Sequence, residues 1–84
     1  MQGNSAGPRL TLRVDEFQRM MRARGCETAS SQAEELGVYV STITRAIAGE
    51  VQPSGAFVAR ACVALGVAPG ELFEVIPAIE RSAA

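Results

Sequence analysis

Histidine and lysine are both missing from this 84-residue chain, and all eight of its cationic side chains are arginine. Without histidine, the commonest metal ligand and the commonest general base near neutral pH are gone. Nor is there a glycine-rich phosphate loop or a cluster of metal-binding side chains, so acid–base chemistry would rest on scattered carboxylates. A protein that is not an enzyme and takes no metal or cofactor is expected. Cysteine is scarce too, and Cys26 and Cys62 lack the close spacing of a metal or redox pair. Cys26 follows Gly25 at an apolar position and Cys62 falls on the inner face of a helix, so both read as small buried hydrophobes rather than a disulfide. No apolar run approaches the roughly 18 residues of a transmembrane helix. Met1–Pro8 is polar and glycine-rich rather than basic and then apolar, unlike a signal peptide. The expectation is a cytoplasmic protein with no membrane partner and no evident small-molecule ligand.

What is present fits one small domain, 48% hydrophobic and 20% charged, near the size at which a single core is marginal without good helix packing or dimerisation. The net charge of −1 does not announce a nucleic-acid binder. Its distribution is uneven. Residues 1–26 carry Arg9, Arg13, Arg19, Arg22 and Arg24 against Asp15 and Glu16, whereas residues 27–50 carry Glu27, Glu34, Glu35 and Glu50 against Arg45 alone. Arginine favours fork-like bidentate contacts to phosphate or guanine, although an arginine-preferring genome accounts for the bias equally well.

The chain is organised around residues 29–49. Ala33 and Leu36 lie three apart before Gly37, and Val40, Ile43 and Ile47 follow it at offsets of three and four. Each half reads as a short helix with one apolar face. Gly37 follows the last periodic residue of the first half, where a left-handed helix stop is needed. A short corner holding a glycine, with the small Ala33 four residues earlier, is the helix-turn-helix arrangement. Its physical use is to hold the second helix outward, so that its exposed face can enter a DNA major groove.

The run Ala33, Leu36-Gly37-Val38, Ser41-Thr42-Ile43, Arg45, Gly49, Pro53-Ser54, Ala64-Leu65-Gly66-Val67 and Glu71-Leu72-Phe73 resembles the lambda-repressor/Cro type of helix-turn-helix domain, over about residues 14–73. The resemblance implies a mainly α fold, a compact four- to five-helix bundle with helices two and three as the helix-turn-helix. It also implies double-stranded operator DNA as partner. The sequence departs from the family pattern at several places. Ala29 stands where a phosphate-contacting glutamine usually opens helix two, the preceding loop is one residue longer, and Glu50 stands where relatives often carry lysine or arginine. Arg22 could enter the family's salt bridge from helix one, but its expected glutamate position is Ile47, so apolar packing replaces the pair.

Taken in order, residues 1–9 form a flexible lead, 10–76 the domain and 77–84 a loose tail. Leu10–Val14 alternates apolar and polar like a strand, and Leu72–Ile76, halted by Pro77, is the one plausible partner. These terminal segments pair in a small two-stranded unit, within a subunit or across a homodimer. The alternative is that Leu12–Val14 begin helix one and Glu71–Val75 form a fifth helix. Asp15 with Gln18 reads as a capping box for helix one, whose buried stripe is Phe17, Met20 and Met21. Thr28 or Ser30 caps helix two, and Thr28 joins the DNA-binding set because free N–H groups at a helix start can hold a phosphate.

Helix three spans about Val40–Ala48, with Ile43 inward. Its outer face offers Arg45 to read guanine, Ser41 and Thr44 for bases or phosphates, Val40 for a thymine methyl and Tyr39 for the backbone. Against this stand a merely solvated Arg45 and an inward-packed Val40. Ser54 caps helix four, and the resemblance implies that Gln52, Ser54 and the amides of Gly55 and Ala56 meet a phosphate. Val58, Ala61, Cys62 and Leu65 form its inner face, which leaves Phe57 off that face and exposed, against a partner subunit or the C-terminal strand.

The leading functional expectation is a sequence-specific transcriptional regulator of the Cro or phage-immunity repressor kind, controlled by its own concentration because only short tails surround the domain. The rival is a protein-binding module, an antitoxin or a polymerase-contacting adaptor on the same scaffold, favoured by the mild acidity, Ala29, Glu50 and the apolar Leu72–Ile76.

Overall fold

Leu10 and Leu12 turn to one side of a short strand, β1 (Arg9–Leu12), and only Leu12 becomes fully buried. β1 pairs antiparallel with β2 (Phe73–Ile76) in the register Arg9 to Ile76, Leu10 to Val75, Thr11 to Glu74 and Leu12 to Phe73. The structure is a computed structural model and describes residues 7–77. Most of the expected lead and tail, residues 1–6 and 78–84, lies outside the described residues.

The terminal pairing therefore forms within one chain, but its expected bounds need correction. Val14 belongs to helix α1 (Val14–Ala23), and Leu72 ends a one-turn helix, α5 (Pro69–Leu72). Both readings of the termini hold in part, because the Arg13 N–H donates to Leu72 O at 2.7 Å and the chain turns into α1 there. That link also displaces the expected cap. α1 starts one residue before Asp15, with Arg13 at the N-cap position and no side-chain cap bond. Asp15 and Glu16 lie instead in the first turn, where carboxylates suit the positive end of the helix dipole. Gln18 closes no capping box; its Oε1 accepts from Gln32 Nε2 at 2.8 Å.

Helix α2 (Ala29–Leu36) is capped by Thr28 in a reciprocal box with Ser31: each backbone N–H donates to the other's hydroxyl oxygen at 3.1 Å. Gly37 then takes φ +73°, and the N–H groups of Gly37 and Val38 both reach Ala33 O, at 2.8 and 2.9 Å. The two N–H groups share one late carbonyl of α2 in a left-handed C-terminal stop, which ends α2 and turns the chain into helix α3 (Val40–Ala48). Ile43 is wholly buried beneath the corner, and Ile47 packs against the core where the family's ion pair would stand.

Helix α4 (Gly55–Leu65) corrects one expectation. Phe57 is not exposed: it is 3% accessible, and its ring meets Phe73 edge to face with centroids 6.1 Å apart. The inner face of α4 is accordingly centred on Phe57 and Ala61, with Val58, Cys62 and Leu65 half-buried at its margins. A buried aromatic offers far more apolar area than the small residues of the expected stripe, so it sets the helix rotation. Phe17, Met21, Ile43 and Leu72 complete the centre of the core. Gln32, 1% accessible, is its one polar member among the described residues, and its Oε1 finds no hydrogen-bond donor among them.

A Cβ built at Gly37 would stand 3.0 Å from Arg60 Nη1, in a backbone conformation that side chains resist. Gly37→Val is expected to cost about 1–3 kcal/mol, lowering the melting temperature by about 4–8 °C per kcal/mol. An unchanged thermal unfolding curve followed by circular dichroism would refute this account of the corner.

Candidate nucleic-acid interface

The outward face of α3 carries little charge. Tyr39 is 81% and Val40 43% accessible, so Val40 does not pack inward, and Ser41, Thr44 and Arg45 are exposed beside them. The Thr44 hydroxyl donates to Ser41 O at 3.1 Å, which holds its oxygen outward with lone pairs to offer. Arg45 enters none of the ion pairs among the described residues, so its five N–H donors are uncommitted within them.

Arg45 does not stand alone. Together with Ser41, Thr42 and Ala46 of α3, it lines a cleft of about 160 Å³ whose other wall is Val51, Gln52, Pro53 and Ser54 from the loop entering α4. Four of the eight expected site residues, Ser41, Arg45, Gln52 and Ser54, thus share one cleft. Val40 and Thr44 lie on the same helix and Tyr39 at its N-cap, all outside that lining, and Thr28 is not among the lining residues. The spacing of Ser41 and Arg45 reveals a common face, but nothing in the spacing marks Thr42, Val51 and Pro53 as the surfaces that complete the wall.

The loop side is held by two specific hydrogen bonds. Ser54 Oγ accepts the Phe57 N–H at 3.1 Å as the cap of α4 and keeps its own O–H to donate. Gln52 Oε1 accepts the Leu10 N–H at 2.6 Å. A backbone donor demands the oxygen of the amide, so the orientation of Gln52 is determined and its NH₂ group is left as a donor uncommitted among the described residues. A smaller cavity of about 60 Å³ continues from there between β1 and the loop, lined in part by Arg9, Glu50 and Gln52.

A family model described as Cro/C1-type HTH DNA-binding domain matches residues 16–78. The chain belongs to this family. The match spans the helix-turn-helix, the cleft and β2, and it makes the chain a DNA-binding regulator of transcription; members of such families typically work without catalysis. No curated protein and no solved structure matches the chain significantly. No helix among the described residues is long and apolar enough to cross a membrane, and no group of metal-binding side chains is found among them.

The remaining chemistry of this Cro/C1-type domain is quiet. Cys26 is buried and Cys62 half-buried, both as free thiols. Burial, with a smaller push from the Glu71 carboxylate, raises the Cys62 pKa, so it stays a protonated apolar filler rather than a reactive thiolate. On the exposed face of α1, Arg19 hydrogen-bonds Glu16 and holds its carboxyl below the usual range.

Ser54→Ala removes the α4 cap and is expected to cost about 1 kcal/mol. Ser54→Asp supplies another acceptor and should preserve the melting temperature. Equal melting curves for the alanine variant and the parent would show that the cap bond contributes nothing.

Proposed function

We propose that this domain is a small repressor of the Cro or phage-immunity kind, whose α3 lies in the major groove of operator DNA. The observation that carries the reading is the cleft that joins Arg45 and Ser41 of α3 to Gln52 and Ser54 of the next helix start. A base-reading helix needs such a neighbour, because backbone contacts set its register while side chains on its face distinguish bases.

In this reading Arg45 makes a bidentate contact to guanine O6 and N7, and the exposed Val40 meets a thymine methyl group. Ser41 and Thr44 bond base edges or phosphates, and Tyr39 rests on the backbone. Gln52, Ser54 and the free amides at the start of α4 hold one phosphate, and Thr28 with the start of α2 holds another. The compartment that contains the DNA, the cytoplasm and its nucleoid, is the place of action.

Two-fold operators call for a homodimer, and the terminal ribbon offers one. The Leu10 N–H points away from β2, to Gln52, so Leu10 and Val75 are a pair without mutual hydrogen bonds. The backbone N–H and C=O of Val75 consequently face the outer edge of β2, where its side chain is 64% accessible. Antiparallel pairing of two copies centred on Val75 satisfies these groups and sets Glu74 opposite the partner's Ile76. Centring it on Glu74 would oppose like charges. The two α3 helices would then address half-sites about one helical turn, roughly 34 Å, apart.

Beyond its sequence grounds, the protein-binding alternative draws support from an open groove between α2 and α4 lined by Glu35, Leu36, Ala59, Arg60, Val63 and Ala64. Salt separates the two readings. Operator binding through phosphates should weaken linearly in log–log form as salt rises, whereas an apolar protein contact should change little.

Arg45→Ala should leave the fold unchanged and cost about 1–3 kcal/mol of binding to a duplex selected from a random pool, with relaxed preference at one base pair. Undiminished affinity removes Arg45 from the reading set, and no preference among duplexes at low salt defeats the proposal. For assembly, sedimentation equilibrium should show a dimer for the parent and a shift toward monomer for Val75→Lys, since charge on a strand edge opposes pairing. A monomeric parent at concentrations that saturate the duplex would exclude the β2 edge as the dimer contact.

A further inference from the structure

Seven arginines lie among the described residues, and most are already engaged. Arg13 pairs with Glu74 at 3.9 Å, Arg19 with Glu16 at 2.5 Å and Arg24 with Glu35 at 3.3 Å, while Arg60 donates to Leu36 O at 3.5 Å. Arg9, Arg22 and Arg45 make no such bond to the described residues. Arg22 sits in the last turn of α1, where a cation suits the negative end of the helix dipole. Arg9 and Arg45 are different: they line two adjoining cavities whose walls have Ala46, Val51 and Gln52 in common. Arg45 also lies in the last turn of its helix, α3, but unlike Arg22 it shares with Arg9 a place beside the same glutamine.

We propose that Arg9 is a second cationic contact to the DNA backbone, a sequence-independent phosphate ligand delivered to the α3 face by strand β1. This rests on the reading of α3 as the DNA-facing helix. The position of Arg9 is built rather than incidental. Its own backbone pairs with Ile76, and the next residue, Leu10, donates to Gln52 Oε1, so the strand is tied on one edge to β2 and on the other to the loop before α4. Little main-chain freedom remains to be lost when the arginine engages a phosphate, which favours the contact over one made from an untethered terminus.

The proposal also accounts for Glu50. That carboxylate lines the same small cavity as Arg9, at the place where the resemblance leads one to expect a cation. Alone it would repel a phosphate; with Arg9 in the same wall, the cation is supplied from β1 and the local repulsion is offset. Phosphate rather than base is the assigned target, because Arg9 stands off α3 on a strand beside the loop expected to follow the backbone.

The test compares the parent protein with Arg9→Gln and Arg9→Lys, on a duplex selected from a random pool and on an unrelated duplex of equal length, across a salt series. Arg9→Gln should weaken binding to both duplexes by the same factor, reduce the slope of log K against log salt by about 1, and leave the ratio between duplexes unchanged. Arg9→Lys should restore the slope, and all three proteins should share one melting curve because the side chain is exposed. A parent that binds DNA steeply while Arg9→Gln keeps its slope overturns the Arg9 contact and leaves the α3 reading standing. A change confined to the selected duplex overturns it as well, since that would make Arg9 a base reader. A parent that prefers no duplex defeats the underlying reading itself.

Discussion

The left-handed turn at Gly37 is the constraint on which the rest depends. Because Gly37 and Val38 both donate to Ala33 O, α2 ends abruptly, and α3 departs at once with Ile43 driven into the core. An amphipathic helix of nine residues is too short to persist by itself in water. Burial of Ile43 and Ala46 fixes which face is inward, and so determines that Tyr39, Val40, Ser41, Thr44 and Arg45 face out. A weakly charged outer face is therefore a consequence of packing, and it is available because none of the described residues covers it.

The second organising contact is the terminal ribbon. In so small a domain the two ends contribute a large share of the core: Leu12 and Phe73 are buried, and the Phe57 ring closes on Phe73 from α4. The same ribbon reaches the candidate interface through the Leu10 to Gln52 hydrogen bond. Pairing of the termini, orientation of the Gln52 amide and the wall opposite Arg45 are thus parts of one mechanical unit. A change in how β1 sits would be felt at the loop before α4, with no intervening helix to absorb it.

Much of this was legible from residue order. The helix-turn-helix follows from Leu36, Gly37 and the offsets of Val40, Ile43 and Ile47, the cap of α4 from Ser54, and that of α2 as a choice between Thr28 and Ser30, which the structure resolves to Thr28. The errors have specific causes. Asp15 is a good capping residue, but the Arg13 to Leu72 hydrogen bond moves the N-cap two residues back, to Arg13, and a distant backbone partner leaves no mark in local sequence. The regular stripe of Val58, Ala61, Cys62 and Leu65 places Phe57 off the inner face, although it leaves the C-terminal strand as one of its expected contacts. The larger ring took the interior by pairing with Phe73, sixteen residues away. Gln32 sits in the core although its type favours the surface, because Gln18 Oε1 and Cys26 O lie within reach of its amide.

Local order by itself marked α2, the corner and the residues of the apolar and polar faces of α3, since each depends on neighbours within about four positions and on the conformational freedom of a glycine. Tertiary structure alone decided which of those residues share a cleft with Gln52 and Ser54, where β1 begins and ends, and which way the Gln52 amide points. Those features depend on hydrogen bonds and ring contacts between segments far apart in the chain, whose strength comes from desolvation in a shared core that no single stretch of sequence contains.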